Sequence, residues 1–250
     1  MVNSDDWPTY RHDALRSGAN RTTIPAELGL KWETELKGRI SPPVAAWGKV
    51  FLAEVDCHRV KCVAASSGEV LWSFTAGARV DSPPTLYQGL VLFGSADGRV
   101  YCLRACDGKC VWTFDAAPRD RLVTVFGQLE SAWPVHGSVL VQNDRANVSA
   151  GRSTFLDGGL YYFALEPETG KLLHEARVRS PRPDVRKQAG LPYDMEGTRT
   201  DILVGDGEDI YQFFVRFNPD LTRQDTPRIT KLGDREVSQH LMTNAGLLDS

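Results

Sequence analysis

Gly98-Arg99-Val100-Tyr101-Cys102-Leu103-Arg104-Ala105-Cys106-Asp107-Gly108-Lys109-Cys110-Val111-Trp112 is the stretch that decides the fold. It reads as a strand, a tight Asp-Gly turn and a second strand closed by an indole. The phrase already occurs one repeat earlier as Ser66-Ser67-Gly68-Glu69-Val70-Leu71-Trp72, and Trp32, Trp72 and Trp112 stand 40 residues apart. Inside this period Ser41-Pro42-Pro43-Val44 returns as Ser82-Pro83-Pro84-Thr85, and Gly48-Lys49-Val50-Phe51-Leu52-Ala53 as Gly89-Leu90-Val91-Leu92-Phe93-Gly94. A period near forty with short apolar runs between glycine turns is the pattern of propeller blades.

Working outward, the expected fold is all-β: a partial β-propeller of about four blades, each a four-stranded antiparallel sheet with a Trp-docking motif. Residues 1–29 lack alternation and read as an ordered N-terminal arm. Leu30 to Leu36 reads as an outer strand carrying Trp32. Blades are expected at about 40–76, 81–116, 131–178 and 198–218. The third is stretched: Ser138 to Val141 is a strand, 143–156 is extra, and the repeat resumes at Asp157-Gly158-Gly159 with His174 where a Trp belongs. In the fourth, Ile210 to Phe217 is apolar enough for a strand. Residues 179–197 read as a long loop, and 219–250 as an irregular tail or the start of a further blade, with a short helix near Arg235 to Met242.

A blade cannot bury both faces alone, so it must stack on its neighbours. Each Trp supplies a large apolar plate whose indole N–H needs one acceptor, and a backbone carbonyl of a neighbour suits it. Gly68 and Gly108, four residues before their Trp, are expected to clear room and set the turn.

Composition excludes several classes. The 250 residues are 42% hydrophobic and 24% charged, ordinary for a globular chain. A net charge of −3 gives no basic field for nucleic acid or an anionic membrane. No apolar run approaches the ~18–20 residues of a membrane span. Five cysteines, Cys57, Cys62, Cys102, Cys106 and Cys110, leave one unpaired in any disulfide scheme. Cys62 and Cys102 hold equivalent repeat positions and read as small apolar blade residues; Cys106 and Cys110 flank a turn ill-suited to a disulfide.

The phrase from Gly98 to Trp112 resembles the pyrroloquinoline-quinone-like β-propeller repeat family over about residues 30–178, and more faintly over 198–218. Asp6-Trp7-Pro8-Thr9-Tyr10-Arg11-His12-Asp13 with Arg16-Ser17-Gly18 is similar to the lead-in common before such propellers, and Ala150-Gly151-Arg152-Ser153 with Leu156-Asp157-Gly158-Gly159 resembles a phrase of large exported members. The resemblance implies one of two activities. Quinoprotein dehydrogenases hold quinone (PQQ) and calcium on the axis beside an Asp base; others, such as the outer-membrane assembly lipoprotein, bind protein partners without a cofactor. This chain departs from the enzymes, having no adjacent cysteines and no motif matching their calcium ligands. Four blades also fall short of the seven or eight usual there, as in a piece of a longer parent chain or a small propeller. Family members are mostly exported, so the expected location is periplasmic or extracytoplasmic. Met1-Val2-Asn3-Ser4-Asp5-Asp6 is no secretory leader, which leaves a leader absent from this chain, or the cytoplasm as the alternative.

The extra stretch of the third blade is the expected functional place, because excursions from regular blades form binding faces. Asp144, Arg145, Arg152, Ser153 and Asp157 are its candidates for a ligand or partner, with salt-bridged loop pinning as the plainer reading. Asp201, Asp206, Glu208 and Asp209 lack calcium-loop spacing and read as an acidic turn. The histidines His12, His58, His136, His174 and His240 are scattered without ligand spacing. Asn147-Val148-Ser149 is a glycosylation sequon of a length that arises by chance. The expectation is a non-catalytic scaffold binding a protein or small polar ligand on its loop faces, with no catalytic residue, metal or cofactor. The alternative is a fragment of a quinone- and calcium-dependent dehydrogenase.

Overall fold

The computed structural model describes residues 5–180, 200–213 and 215–224. Four antiparallel sheets, each of four strands in sequential order, follow one another along the chain. The first holds β1 (Val44–Ala46), β2 (Lys49–Glu54), β3 (Arg59–Ala64) and β4 (Val70–Thr75); the second β5 (Thr85–Tyr87), β6 (Leu90–Gly94), β7 (Arg99–Arg104) and β8 (Cys110–Asp115). A separate hairpin follows, β9 (Leu122–Val125) with β10 (Gln128–Ser131). The third sheet holds β11 (Leu140–Gln142), β12 (Arg145–Ala150), β13 (Leu160–Leu165) and β14 (Leu172–Val178); the fourth β15 (Val204–Gly205), β16 (Ile210–Gln212), β17 (Val215–Phe217) and β18 (Arg223–Gln224).

The first strands β1, β5, β11 and β15 contact one another in succession, while the outer strands β4, β8 and β14 are largely exposed. The sheets therefore radiate from a shared centre, as propeller blades do. An apolar cluster fills each gap: Phe51 with Phe93 and Trp72 between blades one and two, Leu92 with Trp112 and Phe163 between two and three, Tyr162 with Phe217 between three and four. Burying these side chains at ~1.5–3 kcal/mol each is what holds neighbouring blades together.

The arm crosses the first strand of every blade. Trp7 pairs with Ala45, and the Pro8 carbonyl accepts from Leu86 N at 2.7 Å. Buried Arg16 donates to the carbonyls of Leu203 (3.1 Å) and Val139 (3.5 Å), and Gly205 N donates to the Ala14 carbonyl.

Three expectations change. Residues 30–36 form no ladder: no described strand pairs with them, although they keep the alternation of an outer strand. Residues 145–150, expected within an excursion, are the regular second strand of blade three, so the excursions are the β9–β10 hairpin and the loop 151–159. Ile210 to Phe217 folds as two strands around Phe213 (φ +50°), and the fourth sheet runs on to Gln224. The helix expected near Arg235 to Met242 lies outside the described residues, as does nearly all of 179–197.

Candidate functional site

Strand order divides the propeller into two ends. One, the turn end, carries the tight connections β1–β2 and β3–β4 and their equivalents. The other, the loop end, carries the connections β2–β3 and β4–β5 and their equivalents, including the long links between blades.

At the turn end each indole crosses to the next blade. Trp32, Trp72 and Trp112 donate through Nε1 to the carbonyls of Ala65 (2.9 Å), Ala105 (3.1 Å) and Pro167 (2.9 Å). The glycine that makes room lies in that next blade, so Gly68 serves Trp32 and Gly108 serves Trp72, rather than the Trp four residues on. A Cβ on Gly108 would lie 2.6 Å from the Trp72 ring, and its φ of +69° also favours glycine.

The five candidate residues do not gather in one place. Six-residue β12 separates Arg145 from Arg152 by about 20 Å. At the turn end, Asp144 accepts from Tyr87 Oη (2.6 Å), and Arg145 donates to the Pro219 carbonyl (2.5 Å). At the loop end, Arg152 and Arg121 both pair with Asp157, and Ser153 Oγ accepts from Phe155 N. Asp206, in the acidic turn, accepts from the backbone N–H groups of Glu208 and Asp209 and from Tyr211 Oη. Asn147 is 1% exposed, with its amide donating to the Leu140 and Arg145 carbonyls, so the sequon is closed to modification in the fold. Burial pushes the thiols of Cys62 and Cys102 up to about 12.

The loop end holds a cavity of about 600 Å³ bordered by charged groups that sequence reasoning passed over. Arg79, 5% exposed, is its floor: Nε donates to Asp81 (3.2 Å) and Nη2 to Glu130 (3.0 Å). His136 Nδ1 lies 2.6 Å from the other Asp81 oxygen, and Arg39 reaches Asp81 at 3.7 Å. Burial alone would push Asp81 up, but His136 and Arg79 overcome it and hold the carboxyl at about 2. Burial raises Glu130 instead. Arg152 borders the same space. Phe126, at the hairpin tip and 90% exposed, places its ring 5.5 Å from the Arg79 guanidinium. His58 Nε2, 2.9 Å from Gln128 Oε1, ties that hairpin to blade one.

Two of the arginines that border this cavity each carry one buried N–H group without a partner, Arg79 at Nη1 and Arg152 at Nε. The sequence carried one faint signal. Asp81 and Glu130 each stand directly before the Ser that opens an inner-strand phrase, Ser82-Pro83 and Ser131-Ala132. Among the described residues no group of three or more His, Cys, Asp or Glu is placed to hold a metal ion, and no helix is long and apolar enough to cross a membrane.

The quinohemoprotein alcohol dehydrogenase ADHIIG of Pseudomonas putida HK5 is similar in structure with TM-score 0.60 and 18% identity, over 70% of this chain and 27% of its own. The quinohemoprotein alcohol dehydrogenase of Comamonas testosteroni gives 0.57 and 20%, over 71% and 29%. A europium-containing methanol dehydrogenase gives 0.50 and 13%, over 70% and 32%. The chain thus spans less than a third of each of these enzymes, and the likeness is one of fold. No curated protein matches the sequence. The family model described as outer membrane protein assembly factor BamB matches residues 21–204, well over half of the chain. With its repeats, four blades and shared indole geometry, the chain belongs to this PQQ-like β-propeller repeat family.

Proposed function

We propose that this chain is a non-catalytic binding module whose loop end receives a protein segment or small polar ligand. The observation that carries the reading is the loop-end cavity, where three arginines, a histidine and three engaged carboxylates meet beside an exposed aromatic tip. A space of about 600 Å³ with a few convergent polar groups has the size and make-up of ligand pockets. The match to an outer-membrane assembly family supports a scaffold role and an extracytoplasmic location.

The dehydrogenase reading rests on the fold of its structural neighbours, and fold is weak ground for activity. The residues here do not fit a calcium-bound quinone. Calcium takes six to eight oxygens, while Asp81 is engaged by Arg79 and His136, and Glu130 by Arg79.

The test is to screen the 250-residue chain against polar metabolites and extended peptides, then map protection by hydrogen exchange. Saturable binding is expected to protect 76–82, 130–138 and 151–158. Protection confined to the turn end overturns the reading, as does dye-linked alcohol oxidation on adding quinone and calcium.

A further inference from the structure

We propose that the loop-end cavity holds an organic monocarboxylate with an apolar or aromatic body, its carboxylate between Arg79 and Arg152 and its body beside Phe126. This rests on the binding-module reading and names the ligand class of that site.

The first ground is the pair of unpaired donors. A guanidinium presents five N–H groups in a fixed fork. Arg79 commits Nε to Asp81 and Nη2 to Glu130, leaving Nη1 buried and unmatched. Arg152 commits Nη2 to Asp157 and leaves Nε unmatched. A buried charged donor without an acceptor is strongly disfavoured, and the two arginines border one space. An oxyanion there supplies the acceptors that the fold omits.

The second ground is charge balance. Arg39, Arg79 and Arg152 border the cavity together with Asp56, Asp81 and Glu130. Three arginines and His136 face three carboxylates, so the net charge of the lining is small, and a single delocalised charge suits this field better than the two charges of inorganic phosphate or sulfate.

The third ground is the wall. Ile40, Pro42, Val55, Val125 and Phe126 make one side apolar, which asks for a ligand with a hydrocarbon body. Phe126 is otherwise unexplained: a large aromatic ring 90% exposed at a hairpin tip, over a buried arginine. A flat body against its edge gains ring contact while its carboxylate faces the arginines.

The experiment is calorimetric titration of the 250-residue chain with benzoate, benzamide and inorganic phosphate. Benzoate is expected to saturate one site and raise the melting temperature; benzamide and phosphate are expected to bind at least tenfold more weakly. Arg152→Gln is expected to weaken benzoate at least tenfold and Phe126→Ala severalfold. Arg99→Gln, at an exposed ion pair with Asp115, leaves binding unchanged. Arg79→Lys would also take the bidentate fork from buried Glu130 and Asp81, so the decision rests on Arg152→Gln and the exposed Phe126→Ala. Benzoate binding indifferent to both variants, phosphate binding as tight as benzoate, or no benzoate binding each overturns the proposal. If peptides or other polar ligands still protect the loop end while benzoate fails, the binding-module reading survives and the carboxylate assignment alone falls.

Discussion

The junction between blades two and three and that between three and four fill the same slot by different chemistry. At the first, Trp112 lies over Gly170 and donates to the Pro167 carbonyl. At the second, the position paired as Trp112 is with Cys102 is His174, paired with Ala164. There Arg145, from the second strand of blade three, donates to Pro219, the counterpart of Pro167. Glycine's left-handed place is taken by Leu221, at φ +64°. The comparison separates what a junction requires from what it prefers. It requires a donor for a turn carbonyl and a residue at positive φ; it prefers indole on glycine, which adds a large apolar contact.

The largest test is Trp112→Ala. Removing the plate from the junction between blades two and three should cost ~3–5 kcal/mol, read as a drop in the urea midpoint; an unchanged midpoint would equate the two junctions. Gly108→Ala attacks the partner side. Left-handed backbone plus a Cβ 2.6 Å from the Trp72 ring should cost roughly 2–4 kcal/mol in the same measurement.

The loop end of the first three blades can be broken by acid. Asp81, from the connection between blades one and two, meets His136 of the next connection and titrates near 2 when folded, against about 3.9 unfolded. A depressed carboxylate stabilises above its unfolded value and loses that contribution as pH falls. Roughly 2 kcal/mol should therefore disappear between about pH 5 and 2, and Asp81→Asn should flatten the acid limb of a stability–pH curve. Glu130 works in the opposite sense: burial raises it, so its contribution falls as pH rises through its folded value. The smallest effect belongs to the junction between blades three and four. Arg145→Ala removes a charged hydrogen bond to Pro219 and should cost roughly 1–2 kcal/mol; a loss as large as that of Trp112→Ala would remove the contrast.

Much of the fold was legible because its cause is local. Glycine turns, strand-length apolar runs and the 40-residue recurrence of Trp each constrain neighbours along the chain, and the strands of blades one and two fall close to where the pattern puts them. Blade three was harder. Arg145-Ala-Asn-Val-Ser-Ala150 has small and polar residues where a strand shows bulky ones, because both faces lie buried between blades. Reading it as an excursion merged Asp144 and Arg145 with Arg152, Ser153 and Asp157, which a strand instead sends to opposite ends.

By itself the sequence determined the repeat unit, its strand order and the identity of the plates, since these follow from backbone conformation and side-chain periodicity over a few residues. The tertiary structure alone decided which blade's glycine lies under which indole. It alone brought Arg79, Asp81, Glu130, His136 and Arg152 to one cavity. Those residues come from two connections between blades and a loop within the third blade, and their meeting depends on how sheets stack about a centre, a geometry that no local pattern encodes.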